Sequence, residues 1–439
     1  MFEKPLARRS GRGIVPRMSF LKGLLGQGRG RVLLFCWLGW VFDFYDLILF
    51  SFLQGSIALE LNLSLRTEMA WVVGATLGAT AVGGVVFGRL ADRLGRRLAL
   101  QTSILIFSAG TLMTAFAGGF ASLLMARLVT GLGVGGEWGV GHAIVAESFP
   151  ERSRGRAAGL LQAGTPVAIG CAAAVACFLG PIIGWRLCFL YSALPAVMVI
   201  FARRALPGVD RAPGRDSGAL IDLLRPPYLR ASAALLLLLS LHMTGFWCTY
   251  AWLPTMLLTD AGASWSFVGW FQIGVSSVHV VADVSFGFLA DRFGRRRMFT
   301  AFCLLFAVGL TLVAASYSTL SKNLLLFGFA MAAIGLGAGT WSCFGVLFAE
   351  QYRADVRATA ASSFYNISRG VQLFTAPMMG LLFTLTGTFA VSLHVGTAMA
   401  LLSAVVIWWL PRRRAAPTED VRRSSADPRE CPPPRLRPH

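Results

Sequence analysis

The chain has 439 residues, of which 55% are hydrophobic and only 14% are charged, with a formal net charge of +19. Its mean hydropathy of +0.64 and its repeated uncharged runs exclude a single soluble domain, because runs of about 20 apolar residues can cross a hydrocarbon core as helices. The basic residues lie in short clusters between the apolar runs, which is the pattern of membrane-protein loops rather than of a nucleic-acid-binding surface. We therefore expect a polytopic membrane protein with no nucleic-acid partner.

Residues 1–31 form a basic lead that we expect in the cytoplasm. Twelve apolar spans follow it, each long enough for one membrane crossing. Their predicted bounds are 32–58, 68–88, 98–118, 121–145, 157–180, 184–203, 230–258, 265–287, 298–317, 323–348, 358–384 and 388–410. Residues 412–439 are rich in Arg and Pro and poor in apolar side chains, so they are predicted to form a disordered cytoplasmic tail.

A stretch of mixed charge that contains several Pro and Gly residues, 204–229, divides the spans six and six. We interpret it as a cytoplasmic linker between two bundles, residues 32–203 and 230–411. The predicted fold is therefore an all-α membrane protein with 12 transmembrane helices in two six-helix bundles.

The distribution of Lys and Arg predicts the orientation. All but five of the 40 lie in the two tails, in alternate loops or at the borders of those loops. The five others are Arg66, Arg127, Arg186, Lys322 and Arg369. Since cytoplasmic loops carry the excess of basic residues, both termini are expected on the cytoplasmic side of what we take to be a bacterial inner membrane.

Two stretches of sequence are nearly repeated. GRLADRLGRR at Gly88–Arg97 returns as GFLADRFGRR at Gly287–Arg296, 199 positions later. A period near 200 residues is too long for a solenoid unit and indicates two homologous halves. A second landmark agrees, because AESFPERSRGR and AEQYRADVRAT correspond at an offset of 203.

With this loop motif in both halves, the chain resembles the major facilitator superfamily of transporters over residues 30–411. The resemblance implies two pseudo-symmetric bundles and a loop that latches the bundles together in one conformation, its Asp pairing with the end of another span. Carried over, the expected gating residues are Asp92, Arg93, Arg97, Glu147 and Arg154 in the first half, and Asp291, Arg292, Arg296, Glu350 and Arg357 in the second. The alternative is that the Arg residues only anchor the topology.

The first span carries two acids, Asp43 and Asp46, near mid-bilayer depth. Their spacing of three places both on one helix face, and each carboxylate costs about 2.5–3.5 kcal/mol at a helix centre. They should therefore face the bundle interior, where a proton or a cation removes the cost. The alternative is two structural acids that are hydrogen-bonded to neighbouring helices.

The fourth span adds Arg127, Glu137 and His142. RLVTGLG, which begins at Arg127, resembles a fourth-helix motif of proton-coupled members, although Arg127 lies toward the outer third and snorkelling is an alternative. The glycines before Glu137 let another helix approach, which would supply its partner. The string from Gly133 onward resembles the metabolite:proton symporter branch, which includes sialate and lactate carriers. The expected proton-coupling residues are Asp43, Asp46, Arg127, Glu137 and His142.

In the fifth span, Gln162 and Thr165 supply polar groups and Pro166 predicts a kink. The antiporter signature of the superfamily has Gly followed directly by Pro. Here Thr165 separates the two, which disfavours efflux without excluding exchange.

In the eleventh span, Arg369 lies near mid-bilayer and needs an anion. The partner is either an internal carboxylate, from Asp43, Asp46 or Glu137, or the carboxylate of a substrate, which a planar Arg fork matches. A permanent salt bridge that only fixes helix packing is the alternative. The expected substrate-binding residues are Arg369, Tyr365, Asn366, Gln372, Gln162, His242, Trp247, Tyr250 and Trp341, with a plain core role as the alternative for the histidines.

These options combine into one mechanism. If an acid holds Arg369 in the empty protein, a carboxylate substrate displaces that acid, which then takes a proton. We therefore predict proton-coupled symport of a small organic anion, foremost a monocarboxylate, by a monomer whose partners are that anion, the proton and the lipid bilayer. The alternatives are a carrier of sugar, zwitterion or another metabolite, an efflux exchanger, and a sensor without transport.

The sequence has no nucleotide-binding loop and no paired metal ligands, so we expect neither an enzyme nor a cofactor.

Overall fold

The structure is a computed structural model that describes residues 28–194, 223–320 and 322–411. Within these ranges the side chains of Asp92, Ala146, 151–156, Ala354, Asp355 and Ala358 are not part of the description. The predicted lead up to residue 27, the end of the sixth span, most of the linker and the tail from 412 onward lie outside the described residues.

In the first half, the described residues form seven α-helices. Their bounds are α1 Arg29–Glu60, α2 Glu68–Leu94, α3 Arg96–Ala115, α4 Phe120–Ser148, α5 Glu151–Gln162, α6 Gly164–Ala174 and α7 Gly180–Ser192. Helices α5 and α6 form the fifth predicted span, and the break falls at Ala163, just ahead of Pro166. A π-helical turn at Val175–Leu179 joins α6 to α7. Gly184, at φ 80°, interrupts α7 where the predicted sixth span begins, in a conformation that glycine adopts readily.

The part of the second half that the structure describes contains nine α-helices. Their bounds are α8 Leu229–Tyr250, α9 Leu253–Thr259, α10 Trp265–Phe293, α11 Arg295–Leu320, α12 Leu324–Ala338, α13 Trp341–Gln351, α14 Ala354–Gly370, α15 Gln372–Thr386 and α16 Val391–Val406. Three predicted spans are each broken into two helices, namely α8/α9, α12/α13 and α14/α15. The first break precedes Pro254, because proline removes a backbone donor and disfavours helix in the residue before it.

The described helices cover eleven of the predicted spans and the first part of the sixth, and the all-α fold is confirmed. Nine stretches within the described residues are long and apolar enough to cross a membrane, and one of them, Ala157–Ser192, covers the fifth span with part of the sixth. The fourth and eleventh segments are not among these stretches. Those two segments carry Arg127, Glu137 and Arg369, whereas Asp43 and Asp46 lie in a stretch that is apolar enough.

The backbone repeats the symmetry seen in the sequence. Gly95 separates α2 from α3 at φ 98°, and Gly294 separates α10 from α11 at φ 93°. Both positions are in the region that favours glycine. We call the end of the bundle that carries these two loops the motif end.

The two halves contact each other at the end opposite the motif end. Gln54 of α1 donates from Nε2 to the carbonyl of Ala251, at 2.7 Å, and to Oγ1 of Thr255, at 2.9 Å. Arg66 donates to the carbonyl of Gly387 at 2.8 Å. Helix α6 also packs on α10, and α2 packs on α14 and α15. Hydrogen bonds and helix packing therefore join the two halves at that end.

Candidate functional site

Five Asp, Glu or Arg side chains of the described residues are buried in the middle of the bundle. Their exposed fractions lie between 0% and 3%. The five are Asp43, Asp46, Arg127, Glu137 and Arg369. Since a buried charge is unfavourable unless it is paired or neutralised, the partner of each one indicates its role.

Asp46 and Arg127 are paired with each other. Nη1 of Arg127 donates to Oδ2 of Asp46 at 2.7 Å, and Oγ1 of Thr111 donates to Oδ1 at 2.7 Å. The guanidinium carbon of Arg127 lies 4.6 Å from the ring centroid of Phe50, in cation–π range. The alternative in which Arg127 snorkels to the surface is therefore wrong, because the side chain is 1% exposed and is held by an internal carboxylate.

Asp43 has no such partner. Neither carboxylate oxygen of Asp43 is hydrogen-bonded to any described residue, although its carboxyl group is within electrostatic range of Arg369 and Asp46. The two acids of α1 therefore have different surroundings. Asp46 is bonded to Arg127 of α4, whereas Asp43 lies within electrostatic range of Arg369 in the second half.

Arg369 is fully buried, and none of its three guanidinium nitrogens has a hydrogen-bond partner among the described residues. Its guanidinium carbon lies 5.3 Å from the ring centroids of both Phe44 and Tyr365. The guanidinium is therefore held by aromatic faces, while its five N–H donors remain available to an anion.

Aromatic rings from both halves surround Arg369. Trp138 of α4 stacks on Tyr365 of α14 with ring centroids 4.1 Å apart and an interplanar angle of 4°. Trp40 lies 4.8 Å from Phe44, and Phe44 stacks on Trp247 at 6.2 Å. The buried indole N–H groups of Trp138 and Trp247 have no acceptor among the described residues. The arrangement offers flat apolar surfaces with a few unused donors, as small-molecule sites typically do.

Glu137 lies against α1 at Gly39. A Cβ atom at Gly39 would come within 2.7 Å of Oε2 of Glu137, so this carboxyl group lies directly against the backbone of α1. The glycines that precede Glu137 do admit neighbouring helices, because Gly133 meets the backbone of Phe107 and Gly135 meets that of Thr80. These helices supply no hydrogen bond to Oε1, which has no described partner.

Four of the other predicted residues border the aromatic rings. Nε2 of Gln162 donates to Oγ1 of Thr165 at 3.3 Å, and the same Oγ1 accepts from the indole of Trp40 at 3.0 Å. Nδ1 of His142 lies 2.9 Å from the carbonyl of Trp138. In α14 and α15, Nδ2 of Asn366 donates to a carbonyl one helical turn back, and Nε2 of Gln372 donates to Oγ1 of Thr244 at 3.0 Å.

His242, Tyr250 and Trp341 lie deeper in the second half. Nε2 of His242 is 3.0 Å from Oγ1 of Thr340, and its ring is 4.8 Å from that of Trp341. Tyr250 stacks on Phe246 at 4.4 Å, and its hydroxyl group has no described partner. His242 lies within electrostatic range of His279, and Tyr250 lies within electrostatic range of Asp283, both on α10. We did not select that pair from the sequence, although its spacing of four in an apolar helix was a usable signal.

At the motif end, equivalent ion pairs occur in the two halves. Nη2 of Arg96 lies 2.6 Å from Oε1 of Glu147, and Arg295 pairs with Glu350. Both acids were predicted, and the partners described for them are Arg96 and Arg295. A shift of one residue turns a helical position by about 100°, so helix phase decides which Arg reaches the acid.

The other predicted gating residues make contacts within their own half. Asp291 lies 3.7 Å from Arg295, one turn away on the same loop. Arg296 donates to the carbonyl of Leu410 at 2.7 Å, and Arg357 donates to that of Ala349 at 3.2 Å. Arg93 is exposed, Arg97 is half-buried and Arg292 lies over the ring of Phe293. The side chains of Asp92 and Arg154 are outside the described residues.

A cavity of about 440 Å³ opens at the motif end of the second half. Its lining includes Asp291, Arg295, Glu350 and Trp408. Arg295 lies between the two acids, so these charges largely neutralise one another. We therefore take Arg369, rather than this cavity, as the centre of the candidate functional site.

Comparisons with known proteins identify the family of the chain. The family model described as Major Facilitator Superfamily matches residues 35–282 and 235–433. A protein of Haemophilus influenzae assigned to metabolite transport is 31% identical over 84% of this chain and 91% of its own length. A gentisate transporter of Corynebacterium glutamicum is 29% identical over 88% of this chain and 89% of its own.

Among solved structures, a D-xylose-proton symporter superposes with a TM-score of 0.71 at 19% identity, covering 88% of this chain and 99% of that one. This likeness shows that the two chains share a fold. The sequence matches extend over both halves, as the resemblance in the loop motifs predicted. The chain therefore belongs to the Major Facilitator Superfamily, as a multi-pass membrane transporter and not an enzyme.

Proposed function

We propose that the protein is a proton-coupled symporter of small organic monocarboxylates, and that its preferred substrates carry a flat unsaturated or aromatic ring. The observation that carries this proposal is Arg369, a fully buried guanidinium between the rings of Phe44 and Tyr365 with no hydrogen-bond partner among the described residues. A transporter that keeps such a cation in its centre needs an anion to neutralise it.

A carboxylate group fits the guanidinium by geometry and charge. The planar fork of Arg can donate two parallel hydrogen bonds to one carboxylate, which a Lys ammonium cannot do. The aromatic rings beside Arg369 would pack on the flat body of the substrate by offset or edge-on stacking. The gentisate transporter among the relatives supports this substrate class, since gentisate is an aromatic carboxylate.

We assign the proton to Asp43. Burial disfavours the charged form of this carboxyl group, and in the empty protein the charge of Arg369 offsets part of that effect. A substrate carboxylate that binds Arg369 removes that stabilisation, so Asp43 takes a proton in the same step. Glu137 lies within electrostatic range of Asp43. We assign Glu137 and His142 to the path by which the proton reaches or leaves Asp43.

We assign a supporting role to the pair of Asp46 and Arg127. Their mutual neutralisation keeps α1 against α4, so that Asp43 faces the second half. Around the ring of the substrate, Asn366, Gln372, Gln162 and Trp247 would supply hydrogen bonds. The ion pairs at the motif end would break and form again as the two halves rock against each other.

The stoichiometry decides which gradient drives transport. A monoanion carried with one proton moves no net charge, so only the pH gradient acts on it. With two protons, one net charge crosses, and 100 mV contributes about 2.3 kcal/mol, or roughly 50-fold in accumulation.

The experiment is uptake into proteoliposomes with an inward proton gradient, using benzoate and nicotinate beside their neutral amides, benzamide and nicotinamide. Protein-free liposomes correct for diffusion of the neutral acids. We expect gradient-dependent accumulation of the two carboxylates alone, lost in Arg369→Gln. Equal transport of acids and amides would rule out the proposal.

A second candidate is a neutral polyhydroxylated substrate, such as a sugar. Buried donors without described acceptors favour it, namely the indole N–H of Trp247 and the hydroxyl of Tyr250. Adding xylose and glucose to the same screen separates the two candidates, because a sugar carrier would not require Arg369.

A further inference from the structure

A further buried acid, Asp283, lies beside a histidine in the second half of the protein. On α10, His279 and Asp283 are one helical turn apart, with side chains 1% and 6% exposed. Nε2 of His279 lies 3.6 Å from Oδ2 of Asp283. The two ring nitrogens of His279 have no hydrogen-bond partner among the described residues. The same is true of Oδ2 of Asp283.

The groups around this pair are polar but uncharged. Oγ of Ser342 donates to Oδ1 of Asp283 at 2.8 Å. From α8, His242 and Tyr250 are the titratable groups that face the pair, and His242 is already bonded to Thr340. Within the described residues no Lys or Arg side chain comes within 4 Å of Asp283, so α6, α11, α12 and α13 supply it with no cation.

This environment selects for a proton. A carboxylate with one unpaired oxygen and no cation is unfavourable at this depth, whereas a proton on Oδ2 removes the charge and can be shared with Nε2 of His279 after a small shift. A hard metal cation needs several oxygen ligands. Here Oδ1 of Asp283 already accepts a hydrogen bond from Ser342, and the group beside Oδ2 is the ring nitrogen Nε2 of His279.

We propose that His279 and Asp283 form a second proton-binding site, in the half opposite to Asp43. The proton binds to Oδ2 of Asp283 and is shared with Nε2 of His279. The consequence for transport rests on the proposed function: a monoanion that moves with two protons carries one net positive charge, so the membrane potential contributes to its accumulation.

The direct test counts protons on the purified full chain, with no substrate present. Protein in detergent is titrated between about pH 5 and pH 9, the range over which a shifted carboxyl group exchanges its proton, and bound protons per chain are compared. We expect Asp283→Asn to bind one proton fewer than wild type and Asp283→Glu to recover it. The matched control is Asp260→Asn, because Asp260 already accepts hydrogen bonds from Thr388 and from the Phe389 amide, both at 2.6 Å.

The transport arm uses proteoliposomes with a potassium diffusion potential, equal pH on both sides and benzoate as the probe. Wild type should accumulate benzoate by roughly 50-fold per 100 mV, and Asp283→Asn should lose this voltage response while it still exchanges benzoate. An unchanged proton count in a folded Asp283→Asn protein would overturn the proposal. If the proton count falls but no carboxylate is moved by wild type, the proton site stands and the proposed substrate fails.

Discussion

Arg127 of α4 donates to Asp46 of α1 across 2.7 Å, and both side chains are 1% exposed. The pair is neutral as a unit, and a hydroxyl donor from Thr111 satisfies the second carboxylate oxygen. Asp43, one turn away on the same helix, has neither a cation nor a donor within hydrogen-bond distance among the described residues. Because of this difference, we assign a structural role to Asp46 and the proton to Asp43.

Removal of one member of the Asp46–Arg127 pair should destabilise the protein strongly. Asp46→Asn and Arg127→Gln each leave a buried charge without its partner, at a cost of about 3–5 kcal/mol. The double variant should recover most of the loss, as measured by the apparent unfolding temperature in detergent. A control is Glu60→Gln at the exposed Glu60–Arg186 pair, where about 0–1 kcal/mol is expected. Additive losses in the double variant would show that the two charges are not coupled.

Asp43→Asn should uncouple transport from protons. The amide keeps the size of the side chain but cannot exchange a proton, so we expect benzoate exchange to continue while accumulation driven by a pH gradient disappears. The measurement is counterflow beside gradient-driven uptake in the same liposome preparation. Asp260→Asn is the matched control and should behave as wild type. If Asp43→Asn still accumulates benzoate against a gradient, another group carries the proton.

Arg369→Gln should weaken binding of carboxylates by about ten- to hundred-fold, since hydrogen bonds to a charged group contribute about 1.5–3 kcal/mol. Arg369→Lys should recover only part of this affinity, because it restores the charge without the planar fork. The dissociation constant for benzoate can be followed by quenching of tryptophan fluorescence, with Arg186→Gln as a surface control. Equal affinity in wild type and Arg369→Gln would exclude Arg369 from the binding site.

The stack of Trp138 on Tyr365 should contribute to substrate affinity through ring faces and not through the phenol. Tyr365→Phe keeps the ring and should bind benzoate nearly as well as wild type. Tyr365→Ala should weaken binding by about two- to tenfold, given about 0.5–1.5 kcal/mol for an aromatic pair. The same affinity measurement applies, and a larger loss in Tyr365→Phe than in Tyr365→Ala would contradict the ring-face account.

The ion pairs at the motif end should control the rate of conformational change. Arg295→Glu and Glu350→Arg each place like charges together and should change the rate of benzoate counterflow. The charge-swapped double variant should restore it. The equivalent swap of Arg96 and Glu147 in the first half should behave in the same way. Single variants with unchanged rates would show that these pairs only anchor the loops.

The sequence predicted the arrangement of the chain well, because length and apolar content determine which segments cross a membrane. Gly95 and Gly294 take up the same backbone conformation in the two halves, as the repeated loop motif predicted. The breaks at Ala163 and before Pro254 follow from nearby prolines. The break at Val371, between α14 and α15, has no such signal, because Pro377 lies six residues beyond it.

Individual pairings could not be predicted from the sequence. Arg127 and Arg369 both lie in apolar helices with several candidate acids, and only the rotation and packing of those helices decide that Arg127 meets Asp46. The same reason explains the assignment of Arg96 and Arg295 to Glu147 and Glu350. The stacking of Trp138 on Tyr365 joins the two halves, and no local pattern in either helix specifies it.

The central claim is that a carboxylate on Arg369 drives a proton onto Asp43. The most direct measurement is proton uptake when benzoate, adjusted to the same pH, is added to purified protein in weakly buffered solution. We predict uptake of about one proton per bound benzoate in wild type and none in Asp43→Asn, while Asp260→Asn matches wild type. Benzoate binding without proton uptake in wild type, or with unchanged uptake in Asp43→Asn, would contradict the mechanism.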